Sequence, residues 1–503
     1  MGKPKQTLKA FTSVIVGTIA WVIVFCTPMG LTARAQTADF SVVRRVLGGG
    51  FGAVVLNYPP NVLPGAARIL GTYRFRIINL DWDMLQGVGP GNTFKINWTQ
   101  RLEFSLKLCK QYSWVPRLVW GLAPPTPLVT KMNAAEGRHY GPYDWTLFEK
   151  YTDAFLDHVV SEGFKEIEIE VGNEPDGPSD AQPQFAWWAP SMQGSHPGRI
   201  WSESLQPYLV LYRHTAEAIV QYRQNHVGIV IRVGGPASNG TSHSGFWMAR
   251  PASYFNWLGG FIDAVLAQNL PLDFISWHQY YEGPGSGKQF LDAIREVRTR
   301  LARGGRANTP ISISEWGLFA GPSRMVENLG PGAGVFALDF IQAMDETETK
   351  DAIFLLLAPP PAAAQLPALY YPSSGPDRFG PSHAMIAQGE LAELASNRRL
   401  TCSPLKEDIR CFAAVTPSGA VDLLVWKTLW FANPSTANAS SASTVRAKGV
   451  SRSGKYNIIS VAINGRERPE LRAQLRAEAT SNRELSIDGL TLAPNEYARI
   501  KLN

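Results

Sequence analysis

The chain has 503 residues, is 45% hydrophobic and 18% charged, and carries 15 Trp, 16 Tyr and 23 Phe. That length allows two or three domains or one large barrel plus an accessory domain, and the apolar and charged shares make most of the chain globular. The formal net charge is +6, but Lys3, Lys5, Lys9 and Arg34 lie in residues 1–35, which hold no acid, so the rest is near 6 − 4 = +2 and calls for no nucleic-acid partner.

Residues 1–35 read as a targeting segment: basic residues, the apolar run Phe11–Phe25, then Ala33-Arg34-Ala35. Basic, apolar, small-x-small is the pattern of a secretory signal peptide, with cleavage expected after Ala35 and a secreted or periplasmic product. The alternative is an uncleaved anchor, since the run is near the lower length for a span. Only in that case does a membrane become a partner.

From about residue 48 to 395, short apolar runs alternate with longer amphipathic ones. Eight strands are expected, at 51–58, 73–80, 115–122, 166–173, 229–236, 273–280, 311–318 and 352–359. Helical patterns fall between several of them, at 98–112, 145–163, 205–224, 254–269 and 290–305, with Asp144 and Ser204 as N-caps. Strand–helix alternation argues for parallel βαβ units, and eight in succession fit a (β/α)8 TIM barrel, whose functional residues lie at strand C-terminal ends. The Pro/Ala/Gly-rich stretch 358–382 is expected to wrap the barrel rim. After residue 396 the pattern changes to short alternating runs separated by turns, as in an antiparallel β-sandwich. The organisation is thus 1–35 signal segment, 36–395 barrel and 396–503 β-sandwich, with 433–444 as a surface loop or tether. Cys402 and Cys411 flank what reads as a hairpin tip and are a candidate disulfide in an oxidising compartment, whereas Cys109 lies in a helical pattern as a buried thiol.

The chemistry centres on "EIEIEVGNEPD", residues 166–176. It begins as an alternating strand and ends by presenting Asn173 and Glu174, followed by Pro175. Proline fixes its own φ and turns the preceding residue away from helix, holding the carboxylate outward. A second carboxylate, Glu315, closes the seventh strand in "ISISEWG". In a closed barrel, strands four and seven face each other across the mouth. Two carboxylates so placed are what glycoside hydrolysis needs: one protonated to donate to the leaving oxygen, the other ionised to attack the anomeric carbon or activate water. Glu174 is assigned as acid/base and Glu315 as nucleophile. Asn173 is aimed at a sugar 2-hydroxyl, and His278 and Tyr280 of the sixth strand, "SWHQYY", orient Glu315 and keep it charged. Trp82, Trp120, Trp187, Trp188, Trp201 and especially Trp316 are candidates for stacking on sugar faces; packing between barrel and helices is the other reading of each.

These segments resemble glycoside hydrolase family 39, the β-xylosidase and α-L-iduronidase family. "EVGNEPD" (170–176), "VGGPAS" (233–238), "LDFISWHQY" (272–280) and "ISEWG" (313–317) carry the resemblance, in family order. It implies a (β/α)8 barrel with a trailing β domain, Glu174 as acid/base, Glu315 as nucleophile, Asn173 as the amide beside the acid, and His278 and Tyr280 as site residues. Arg74 matches the arginine of an Arg-x-His pattern on the second strand, where Arg76 replaces the histidine that binds the terminal sugar. Gly172 stands in place of a tryptophan and is expected to widen the cleft beneath the acid. The implied activity is retaining hydrolysis of an oligo- or polysaccharide, either exo and β-xylosidase-like or endo-acting on an exopolysaccharide, with the loop 177–201 shaping the cleft. The rival is a non-catalytic carbohydrate-binding protein on the same scaffold, in polysaccharide assembly or export. The stretch "EGPGSGKQ" (282–289) departs from a phosphate loop at both ends, and the eight His show no metal-ligand spacing. No cofactor or metal is implied, and the oligomeric state is left open.

Overall fold

The computed structural model describes residues 51–53, 74–77, 84–121, 129–133, 138–176, 205–238, 257–281, 283–318, 330–347, 349, 351–354, 370–372, 379–381, 383–404, 406–435, 438–472 and 474–503. The signal segment, Ser204, the loop 177–201 and Trp82, Trp187, Trp188 and Trp201 lie outside them, as does most of 358–382.

All eight expected strands form: β1 (Phe51–Ala53), β2 (Arg74–Ile77), β3 (Val115–Trp120), β4 (Glu166–Val171), β5 (Val230–Ser238), β6 (Phe274–Tyr280), β7 (Ile311–Gly317) and β8 (Asp351–Phe354). They close into a barrel in the order β1-β8-β7-β6-β5-β4-β3-β2, and every neighbouring pair is parallel. Alternation explains how β4 sits. Ile167, Ile169 and Val171 face the helices and are buried in the main core, while Glu168 and Glu170 point inward and meet arginines of β2 and β3. A strand buried on both faces is normally a continuous apolar run; here its inner face is charged because the partners are supplied.

Among the described residues, the helices longer than one turn are α1 (Gln100–Tyr112), α2 (Trp145–Ser161), α3 (Leu205–Asn225), α4 (Trp257–Ala267), α5 (Ser286–Arg303), α6 (Pro331–Glu346) and α7 (His383–Ala395). Asp144 caps α2 by accepting from the Leu147 amide at 3.0 Å, and Thr99 caps α1 in the same way at 3.2 Å. Two helices are absent from the sequence reading, α6 and α7. The α6 residues from Ala333 to Ile341 are all buried, so no polar face marks its period.

The C-terminal strands are β9 (Arg398–Pro404), β10 (Ile409–Val415), β11 (Val421–Lys427), β12 (Ser441–Lys448), β13 (Gly454–Lys455), β14 (Ile458–Ile463), β15 (Arg466–Glu467), β16 (Arg476–Ala479), β17 (Glu484–Leu492) and β18 (Tyr497–Leu502). They form one ten-stranded sheet, β13-β16-β17-β12-β9-β10-β11-β18-β14-β15. The expected sandwich is therefore continuous. β9 pairs with β10 through Arg398–Leu400 and with β12 through Thr401–Pro404, passing from one leaf to the other. A single apolar cluster draws on both leaves, with Leu423, Val425 and Ile500 from one and Val445, Leu485 and Ile487 from the other. The Cys402–Cys411 disulfide is present where β9 changes partner, with Cα atoms 6.0 Å apart; Cys109 is a free buried thiol.

Barrel and β domain share a core: Phe412, Leu424, Trp426, Trp430 and Tyr497 belong to the same apolar cluster as the barrel. At its centre the buried Asp339 of α6 accepts from Trp426 Nε1 at 2.7 Å, and from Thr428 Oγ1 and the Leu429 and Trp430 amides, each at 2.8 Å. Four donors on one carboxylate satisfy a group that would otherwise be expensive to bury.

Candidate active site

The end of β4 is a built turn. Gly172 has φ +72°, and its amide bonds to the Trp120 carbonyl at 2.8 Å. Glu174 has φ +46°, a left-handed conformation that costs a non-glycine residue about 1–2 kcal/mol. Pro175 thus goes with a left-handed Glu174 rather than an extended one. The Glu174 amide bonds to Ala237 O at 2.9 Å at the end of β5, and the Ala237 amide bonds to Ser276 Oγ of β6 at 3.1 Å. Three adjacent strands, β4, β5 and β6, are tied together under one carboxylate.

Glu315 reaches the barrel centre through an irregularity in β7. Ile311 and Ile313 are buried in the core, and Ser312 accepts from Arg117 inside the barrel. Strict alternation would then send Glu315 outward with the isoleucines. The β6–β7 register instead jumps from Trp277↔Ile313 to His278↔Glu315, so Ser314 is an extra residue and the faces exchange. Glu315 turns inward and Trp316 turns out, where it stacks on Phe340 of α6 at 4.3 Å.

Both carboxylates are then held by side chains. Tyr280 donates to Glu315 Oε2 at 2.8 Å, and Arg76 Nη1 donates to Glu315 Oε1 at 2.6 Å. His278 Nδ1 is 2.8 Å from Glu174 Oε1 and 3.6 Å from Glu315 Oε2. One oxygen from each glutamate and one nitrogen of His278 lie within 4.8 Å of one another. That spacing is within the reach of a cation, but the Arg76 guanidinium already supplies the counter-charge to Glu315. Arg76 Nη2 also donates to Asn173 Oδ1 at 2.7 Å. A guanidinium only donates, so the Asn173 atom facing it is the oxygen, and the amide nitrogen is left as a donor.

Electrostatics follow from burial against these charges. Burial pulls the His278 imidazole down, but Glu315 and then Glu174 outweigh it and leave the ring raised above its ordinary value. Burial, then the two carboxylates, push the Tyr280 phenol well up, so it acts as a neutral donor. Burial raises Glu170, yet the Arg76 and Arg117 guanidiniums and the Ser276 hydroxyl bring it below the usual carboxylate range. Arg76 loses from burial and gains more from Glu170 and Glu315, so its cation is held firmly.

Of the expected site residues, Glu174, Glu315, Asn173, His278 and Tyr280 come together. Arg74 does not join them. It sits at the start of β2, one pleat further from the mouth, where its Nε bonds both oxygens of Glu168 at 2.8 Å. Arg76, read as a replaced histidine, is the β2 residue at the site. Trp316 faces α6 and is 1% exposed, so it offers no face to a sugar. Trp120 likewise stacks on Phe155 at 4.2 Å behind the barrel. Gly172 does not open the cleft: a Cβ there would lie 3.1 Å from the Tyr208 ring, which fills the space. The sequence reading also missed Glu170. The signal was present in the alternation of "EIEIE", which places three glutamates on one face of a buried strand and demands cationic partners.

No family model matches the chain. Solved structures do. The GH39 enzyme from Xanthomonas axonopodis pv. citri superposes with a TM-score of 0.62 at 17% identity, covering 92% of this chain and 94% of that one. A monomeric β-xylosidase from Caulobacter crescentus CB15 gives 0.61 at 16%, covering 91% and 96%. A glucosidase from Croceicoccus marinus gives 0.58 at 14%, covering 91% and 96%. The coverage runs through barrel and β domain alike, so the chain has the fold of these glycoside hydrolases over nearly its whole length.

Proposed function

We propose that the protein is a retaining glycoside hydrolase of the family 39 type, acting on an oligo- or polysaccharide. The observation that carries this reading is the Glu174/Glu315 pair: two carboxylates from the ends of β4 and β7, with oxygens within 4.8 Å. Retaining enzymes place their carboxyl groups about 5–5.5 Å apart, inverting ones about 6.5–9.5 Å. Nearest oxygens this close favour the retaining arrangement over the inverting one, which must leave room for a water.

In this mechanism Glu315, oriented by Tyr280 and Arg76, attacks the anomeric carbon. Glu174 gives its proton to the departing glycosidic oxygen, leaving a glycosyl-Glu315 ester. Glu174, now ionised, takes a proton from water as the water attacks the same carbon, and Glu315 leaves as a carboxylate. His278 beside Glu174 stabilises the carboxylate formed in the first step. In this mechanism Asn173 Nδ2, left as a donor by the Arg76 contact to its oxygen, donates to the sugar 2-hydroxyl. An export route for the chain, through cleavage after Ala35, is supported by the Cys402–Cys411 bridge, which suits an oxidising compartment.

The test is a panel of aryl β-glycosides, xylosides first, alongside acidic and neutral exopolysaccharides. Glu315→Gln is expected to abolish turnover. Glu174→Gln is expected to slow substrates with poor leaving groups far more than activated ones. Normal turnover by both variants, or oligosaccharide binding without cleavage by the parent chain, overturns the reading.

A further inference from the structure

We propose that Glu170 is a positioning residue for this site: it fixes the Arg76 guanidinium that holds Glu315 and Asn173, and it sets how much of that cation's charge falls on Glu315. The inference rests on the hydrolase reading above.

The geometry is specific. The three nitrogens of Arg76 take three different partners: Nε faces Glu170, Nη1 faces Glu315 and Nη2 faces Asn173. The side chains of Arg76 and Glu170 are both 0% exposed, so no water can replace a lost partner without rearrangement. Nε is the nitrogen nearest the chain, and a partner there sets the plane of the whole group. Moving that plane moves both of its outer contacts together.

Charge points the same way. Arg76 is one cation between two carboxylates, Glu170 and Glu315. While Glu170 is ionised, the cation is shared and Glu315 keeps part of its electron-donating capacity. Neutralising Glu170 would give the full charge of Arg76 to Glu315, making that carboxylate harder to protonate and a weaker attacker. Glu170 is itself kept ionised by Arg76, Arg117 and the Ser276 hydroxyl, so the arrangement is stable in the resting protein. A purely structural role for Glu170, neutralising a buried arginine, predicts lost stability alone.

The experiment compares the full-length parent, Glu170→Gln and Glu170→Asp on the aryl glycoside the parent cleaves best, with kcat scaled to the folded fraction by near-UV circular dichroism. Glu170→Gln keeps the length and removes the charge. It is expected to lower kcat and to move the acid limb of the pH profile downward, by on the order of one pH unit. Glu170→Asp keeps the charge and shortens the reach. It is expected to lower kcat about 10–100-fold with KM nearly unchanged and the acid limb unmoved. If Glu170→Gln does not fold, Glu170→Asp decides alone. Parental kcat per folded molecule and an unmoved profile in the variants that fold overturn the assignment. If Glu315→Gln also remains active, the hydrolase reading fails with it; if Glu315→Gln is inactive, only the role of Glu170 is lost.

Discussion

Tyr280 donates its phenol to Glu315 Oε2 at 2.8 Å from the neighbouring strand, while Arg76 holds the other oxygen. Each oxygen of the proposed nucleophile thus has its own donor, and both donors are buried.

Tyr280→Phe removes one of these donors and leaves the ring. A hydrogen bond to a charged group contributes about 1.5–3 kcal/mol. Expressed in the chemical step, that is a kcat lower by about 10–100-fold with KM nearly constant. Steady-state kinetics on an activated aryl glycoside measure it.

His278 gives a pH dependence of stability. Its folded value lies above the ordinary 6.5. The contribution is therefore fully present below about 6.5 and lost as pH rises through the folded value. The melting temperature of the parent is expected to exceed that of His278→Asn most in acid, with the gap closing as the solution becomes alkaline. A gap that widens with pH contradicts the assignment.

Glu390 on α7 gives a second one. Burial first, then Glu393 and Asp422, push its carboxyl up to about 7 against the pull of Arg499 and Lys501. A raised carboxyl stabilises the fold below its unfolded value near 4.5 and loses that contribution as pH rises through about 7. Glu390→Gln should flatten the decline in melting temperature between these values and raise it above neutrality.

The Cys402–Cys411 bridge spans nine positions. Closing so short a loop is worth about 2–3 kcal/mol in the chain-entropy description. The double serine variant should melt several degrees lower under non-reducing conditions, and reductant should reproduce the loss in the parent.

The strands were readable because short apolar runs alternate with longer amphipathic ones, and Glu174 and Glu315 because of where they fall in that succession. The orientation of Glu315 was not readable. It depends on one extra residue, Ser314, that shifts the register between β6 and β7, and neither neighbour's side chain announces it. The same shift explains why Trp316, adjacent to the proposed nucleophile, is a core residue. Arg74 and Arg76 lie on one face of β2, about 6.6 Å apart along the strand. Only the barrel's closure decides which layer each occupies, and hence which carboxylate it meets. Helix α6 was missed because burial all around it erases the periodicity by which helices are recognised.

The buried Asp339, gripped by four donors from the β domain, bears on how such proteins can be recombined. Residues 396–503 look detachable in a linear diagram, like a cassette behind a catalytic unit. Excising them would strip Asp339 of every one of those donors and uncover the aromatic rings that Trp430 packs against. The two parts are one inheritance unit: a chimera that exchanges the trailing sheet must carry α6 with it.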